Sequence, residues 1–343
     1  MNIAAWFAKN TRAVIALVVV VAVLAVFGKS IPIWSGCTAA LDRCADIVAI
    51  GVFQGMIVAL VALGYTLVYG ILQLINFANG SVFMLGSVGA LFGVEIFGLT
   101  KDTPATTVIL AFAVILPVTM LLTAGLNAGI ERVAYRPLRR APTLATLISA
   151  IGMDFILQNV GQVLIGPSPV SLPSLLPTTN IITEPFVIKV SHVFVTAITV
   201  PLLIGLMWFV QATRQGKAMR ATAQDREAAG LMGIDVNRTI SLTFLLAGAL
   251  AGGAGVIVAL YNGSAWWQYG FSYGLLAFTA AVFGGIGNLL GAAVGGIFLG
   301  VLISLNAFYV DPRWQDVVVF GILVVVLVFR PTGLFAAKQS ERA

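Results

Sequence analysis

Mostly apolar stretches recur along the chain near 12–28, 46–69, 76–98, 105–128, 143–165, 192–212, 239–261, 270–286, 288–309 and 314–331. A helix needs about 20 such residues to cross a bilayer. The pattern therefore predicts an all-α, polytopic transmembrane bundle of about ten spans, with residues 1–343 forming a single membrane domain. Two places blur it. Around 70–82 and 262–291, glycine and polar residues interrupt the apolar runs. A longer polar segment, 214–238, separates the sixth and seventh spans, and the outer segment 166–191 separates the fifth and sixth.

Composition agrees with the pattern. Only 9% of the 343 residues are charged and 59% are hydrophobic, against roughly 25% charged in soluble domains. Such a chain cannot cover its surface in water, so the bilayer is its solvent. The net charge of +6 does not signal nucleic-acid binding; its meaning lies in where the cations fall. With the N-terminus inside, Lys9, Arg12, the arginines of 131–140, the cations of 214–238, and Arg330, Lys338 and Arg342 are all cytoplasmic. These are 14 of the 19 Lys and Arg residues. Lys29, Arg43, Lys101, Lys189 and Arg313 are left outside. This bias orients the bundle with both termini in the cytoplasm. The first apolar run, preceded by Lys9 and Arg12, has the outline of a signal peptide, but no A-x-A site follows it. Cys37 and Cys44 share the first outer loop, where either a disulfide or two unpaired thiols fits the spacing.

The 214–238 segment reads "RQGKAMRATAQDREAAGLMGIDVNR". Its centre is rich in helix formers, and Gly230 and Gly233 break it near its end. Met219, Ala223 and Arg226 follow helical spacing. A short amphipathic helix beside the membrane is expected, either as a solvated loop or as a surface for a partner. The other basic inner segment, "ERVAYRPLRRAPT" (131–143), is limited by Pro137 and Pro142, and its arginines suit span ends held at lipid headgroups. Outside, "GPSPVSLPSLLPTTN" (166–180) reads as an extended, semi-rigid loop.

Within the membrane, glycines recur four apart: Gly287, Gly291 and Gly295; Gly296 and Gly300; Gly248 and Gly252; Gly51 and Gly55; Gly89 and Gly93. This spacing lets helix backbones approach closely. "INFANGSVFMLG" (75–86) puts Asn76, Asn79, Gly80 and Ser81 between apolar runs, and "FGGIGNLLG" (283–291) does the same with Gly285, Gly287 and Asn288. Each is either a tight loop or a broken helix. Paired interruptions in the two halves of a transporter point to a translocation path. Asp154 is the acidic residue at the centre of a predicted span, with Gln158 one turn later and Asn159 beside it. It is either a functional carboxylate or part of a satisfied polar cluster. The single histidine, His192, falls at an outer span boundary, so the chain offers no Cys/His metal set and no Ser-His-Asp triad. It contains no G-x-x-x-x-G-K-[ST] loop, so ATP, if used, is bound by another polypeptide.

Four blocks carry a resemblance: "GYTLVYGILQLINFANGSVFMLGS" (64–87), "RVAYRPLRRAPTLATLISAIGMDFILQN" (132–159), "GKAMRATAQDREAAGLMGIDVNRTISLTFLLAGALAGGAGV" (216–256) and "AFTAAVFGGIGNLLGAAVGGIFLG" (277–300). With "RPTGLF" (330–335), they resemble the branched-chain amino-acid permeases of bacterial ABC importers over roughly residues 46–335. The resemblance implies a multi-pass inner-membrane protein with no cofactor of its own and no enzymatic activity. It also implies two cytoplasmic ATPase subunits, a second homologous permease (a homodimer being the alternative) and a periplasmic amino-acid-binding protein. Residues 221–235 then correspond to the coupling helix. Glu227, Ala228, Ala229 and Gly230 match the "EAA…G" signature, with Asp225 and Arg226 as rim contacts to the ATPase. Many members carry His and an acidic residue where this chain has Asn79 and Ser81, a departure that bears on which amino acid passes. Permeases for urea and short amides share the fold. A self-sufficient secondary transporter using Asp154 is the competing mechanism.

Overall fold

The structure, a computed structural model, describes residues 41–139, 141–177, 180–182, 187–329 and 333–335. The first expected span, 12–28, and Cys37 of the Cys37–Cys44 pair lie outside the described residues.

Eleven α-helices account for nearly all of what is described. In chain order they are α1 (Leu41–Leu72), α2 (Ala78–Ile96), α3 (Ala105–Ile130), α4 (Thr143–Ile165), α5 (Val190–Ala212), α6 (Arg214–Gln224), α7 (Arg226–Leu231), α8 (Val236–Asn262), α9 (Tyr269–Gly284), α10 (Leu289–Tyr309) and α11 (Gln315–Phe329). Among the described residues, eight helical segments are long and apolar enough to cross a membrane, and α9 is a shorter apolar helix. Together they correspond to the nine expected spans from 46–69 onward. At 16 residues, α9 is about 24 Å long, short of the ~30 Å hydrocarbon core.

Helices α1 and α8 form the centre. From Ile57 to Leu63, α1 is apolar on every side and almost fully buried, as a helix without a polar face must be. Glycines set its closest crossings: Gly51 and Gly55 lie against the α10 backbone at Gly296, Ile297, Gly300 and Val301. On α8, Gly248 and Gly252 receive Thr123 and Asn127 of α3, and Gly255 meets the α2 backbone at Phe83 and Gly86. Helices α4, α5 and α11 are peripheral and expose apolar faces; on α4 these carry Phe155, Ile156, Val160 and Val163.

Helix α3 ends in a π-helical turn, Glu131–Tyr135, that keeps both of these side chains buried. At the opposite end of the bundle, short strands pin the outer loops. β1 (Val170–Ser171) pairs antiparallel with β4 (Ser264–Ala265), and β2 (Asn180–Ile182) with β3 (Ile188–Lys189). The indoles of Trp266 and Trp267 donate to the Pro167 carbonyl at 3.2 and 2.9 Å. Pro167 to Ser171 of the outer segment are thus held to the bundle. His192 lies in the first turn of α5, but its ring is buried and stacked on Phe53, with centroids 4.3 Å apart.

Candidate functional site

The interruption after α1 is a real break in the helix. Gln73 adopts φ 55°, a left-handed conformation uncommon for a residue with a side chain, and α2 starts only at Ala78. Gln73 itself is exposed, but the chain after it turns into the bundle. Asn76 donates to Asn127 Oδ1 at 3.3 Å and accepts from Tyr135 Oη at 2.9 Å. Asn127 in turn donates to the Phe244 carbonyl at 2.8 Å. Phe244 lies about 12 Å along α8 from its first residue, so the break is recessed by some two turns. Irregular backbone at such a depth requires protein around it, and Asn76, Asn79 and Ser81 are all buried.

From the break, polar contacts continue into the bundle. Ser81 Oγ donates to Asp154 Oδ1 at 2.5 Å, and Gln158 Nε2 donates to Asp154 Oδ2 at 2.7 Å. Both carboxylate oxygens therefore have a partner. Asn159 is not part of this cluster; it is exposed and bonds its own helix at the Phe155 carbonyl. Gly80 lets α2 press against Gly270 and Gly274 of α9. Asn79, fully buried, has neither end of its carboxamide paired, an unusual condition for a buried polar group.

The second interruption is a tight turn. Gly285 and Gly287 take φ 102° and 95°, conformations that glycine adopts freely. Asn288 caps α10 by accepting from Gly291 N at 3.2 Å, and its amide donates to the Phe335 carbonyl at 2.6 Å. The two interruptions face each other across a cavity of about 10 Å³ lined by Tyr65, Tyr69, Ile75, Phe278, Ala281 and Ile286. That volume barely admits one water. The structure joins Ser81, Asp154 and Gln158, and separately Asn76, Asn127 and Tyr135. Asn288 turns away from both sets.

The polar segment between α5 and α8 forms two helices rather than one. Thr213 caps α6 by accepting from Gly216 N at 3.0 Å. Arg220 donates to the Val210 and Gln211 carbonyls, and Met219 is buried, so α6 folds back on the end of α5. The chain then breaks at Asp225, earlier than the glycines suggest. The Asp225 carboxylate accepts from Glu227 N at 2.8 Å and Ala228 N at 3.0 Å; an acidic N-cap satisfies the free amides of a new helix. Glu227, Ala228, Gly230, Leu231 and Met232 face outward, while Ala229 is buried. Arg226 is half-buried. Its guanidinium turns inward and donates to the Ile71 carbonyl at 2.9 Å. Burial, and secondarily the Arg139 charge nearby, lowers its pKa from the ordinary arginine value.

One cluster escaped the sequence reading. Glu131, fully buried, pairs with Arg139 and accepts from Ser241 Oγ at 2.8 Å; Arg139 also donates to Asn237 Oδ1 at 2.5 Å. It locks the π-turn to the start of α8. An acidic residue closing an apolar span, with arginines just beyond, is the signal that marks it. Among the described residues, no group of three His, Cys, Asp or Glu side chains is placed to hold a metal ion.

A polytopic helical bundle with a recessed helix break, buried polar contacts beside it and a capped helix pair projecting from one end defines a membrane permease. The chain belongs to the family of branched-chain amino acid transport system permease components, whose pattern matches residues 47–327. It is 39% identical over 297 residues to the high-affinity branched-chain amino acid transport system permease protein BraD of Pseudomonas aeruginosa, covering 85% of this chain and 95% of that protein. It is 38% identical over the same length to the corresponding permease LivH of Escherichia coli K12, with the same coverage. The probable LivH of Methanocaldococcus jannaschii is 28% identical over 290 residues, 82% of this chain and 87% of that one. No solved structure matches the chain.

Proposed function

We propose that the chain is the membrane-spanning subunit of an ATP-driven importer carrying branched-chain or other neutral amino acids across the bacterial inner membrane by alternating access. The observation that carries this reading is the α6–α7 pair. A chain without a nucleotide-binding loop projects a capped helix whose Glu227, Leu231 and Met232 are free to meet another protein. Two cytoplasmic ATPases bind there and supply the energy, and a periplasmic binding protein delivers the amino acid at the opposite face. The similarity to BraD and LivH supports the substrate class.

A second, related permease completes the pore beside α4. The half-buried Asp154 lies on a helix whose outer face is exposed, and a carboxylate next to lipid is costly. Substrate passes along Asn76, Asn79, Gly80, Ser81, Asp154 and Gln158 when the break opens, with the Gly285, Gly287 and Asn288 turn as the opposing wall.

The test is purification from the native membrane of wild type beside Glu227→Lys, followed by amino-acid uptake in liposomes. An ATPase and a second permease should accompany wild type, the mutant should lose the ATPase, and uptake should require ATP. A chain that purifies alone and transports without ATP would overturn the reading in favour of ion coupling at Asp154.

A further inference from the structure

We propose that Arg226 is a positioning residue that ties the ATPase-facing helix α7 to the recessed break after α1, so that movement of α7 resets the break. The inference rests on the importer reading and assigns Arg226 to internal transmission rather than to contact with the ATPase.

The link is direct. Arg226 reaches out of α7 to the carbonyl of Ile71, in the last turn of α1. Carbonyls of a final turn have no partner within their own helix, and a guanidinium there also complements the helix dipole. Two residues later Gln73 takes its left-handed conformation, which persists only where the surroundings hold it. Three residues beyond that, Asn76 is held by Asn127 and Tyr135, and α2 then carries Ser81 to Asp154. Arg226 thus joins the outward-facing segment to the point from which both polar clusters diverge. Its neighbour Glu227, one residue on, points away from the protein, so one short helix presents an outer contact and an inner tie on different sides.

Movement of α7 that keeps the bond drags the α1 terminus; movement that breaks it leaves the Ile71 carbonyl unpaired. Either way the conformation of 73–77 is coupled to the position of α7. Gly233, at φ 84°, ends the short α7 segment before Asp235 caps α8, leaving a six-residue helix flanked by two caps. Such a helix can move as a unit.

The experiment uses the assembled transporter with wild-type, Arg226→Leu, Arg226→Lys and Glu227→Lys permeases. Arg226→Leu should keep the ATPase and hydrolyse ATP, while amino acid moved per ATP falls by about tenfold, the size of one charge-assisted hydrogen bond. Arg226→Lys, which still places a cation at the carbonyl, should restore most of that ratio. Amide exchange over residues 73–80 should respond to nucleotide in wild type and lose that response in Arg226→Leu. Loss of the ATPase from Arg226→Leu, as from Glu227→Lys, would make Arg226 a docking contact and overturn the proposal. So would an unchanged transport-to-ATP ratio. If Arg226→Leu fails to fold or to insert into the membrane, the wild-type exchange decides: a 73–80 segment indifferent to nucleotide rules the link out. Failure of wild type to bring down any ATPase would instead defeat the importer reading itself.

Discussion

Glu131 is enclosed by the bundle, and its two oxygens are divided between Arg139 and Ser241. Removing one partner of a buried ion pair strands the other, typically at a cost of about 3–5 kcal/mol. Glu131→Gln should therefore lower the thermal midpoint of the purified protein clearly, and Glu131→Gln with Arg139→Leu should recover part of the loss. An unaltered midpoint in the single mutant would show that the pair contributes nothing to stability. Asn79 poses the opposite case, a buried carboxamide with no partner at either end. Under the proposed function, such an unpaired group would be available to a substrate when the break opens. Asn79→His should shift the order in which competing amino acids inhibit uptake; an unchanged profile would take Asn79 out of the path. Both residues were visible in the sequence as polar letters in apolar surroundings, but only Asn79 fell inside a span. Glu131 stood at a span's edge, where a charge ordinarily meets headgroups, and the π-turn that folds it inward has no composition cue.

At the scale of helices, the glycine spacing was the more legible signal. Gly284 and Gly291 face each other where α9 meets α10, and a side chain at Gly291 would run into the Gly284 carbonyl and Phe335. Gly291→Leu should reduce yield and thermal stability, whereas Gly125→Leu, with open space around it, should not. Equal behaviour of the two would show that the α9–α10 crossing tolerates separation. The element that propensity misread is α6–α7. Ala, Gln, Arg and Glu favour one continuous helix through 221–230, yet the Asp225 carboxylate binds the amides of the next turn and starts a new helix. Local capping outweighs a run of favourable residues because it satisfies groups that propensity does not count. Of the residues that marked the interruption, Asn76 lies in the break at 73–77, whereas Asn79, Gly80 and Ser81 fall in the first turn of α2. The depth of the break was not legible, since that depends on how far α3 and α8 extend beyond it.

For the molecule as a whole, the question is where the driving force enters. An ion-coupled carrier needs a group that changes charge during the cycle, and Asp154 is the candidate. In this structure both of its oxygens already accept hydrogen bonds, from Ser81 on α2 and Gln158 on its own helix. A carboxylate so engaged holds α2 against α4 without having to exchange a proton. Under the proposed function no such exchange is needed, because the energy would arrive through α7. The two mechanisms therefore separate on one substitution. Asparagine at 154 is nearly isosteric, keeps an acceptor for one neighbour and abolishes the charge. Under the importer reading, Asp154→Asn should retain ATP-dependent uptake to within about tenfold, the loss of a single charged hydrogen bond. Its dependence on external pH should match that of wild type. Under ion coupling, uptake driven by a proton or cation gradient without ATP should be present in wild type and vanish in the mutant. Measuring both modes in the same liposomes makes the result decisive, because an unstable mutant would lose each of them, whereas a coupling mutant would lose only the gradient-driven one.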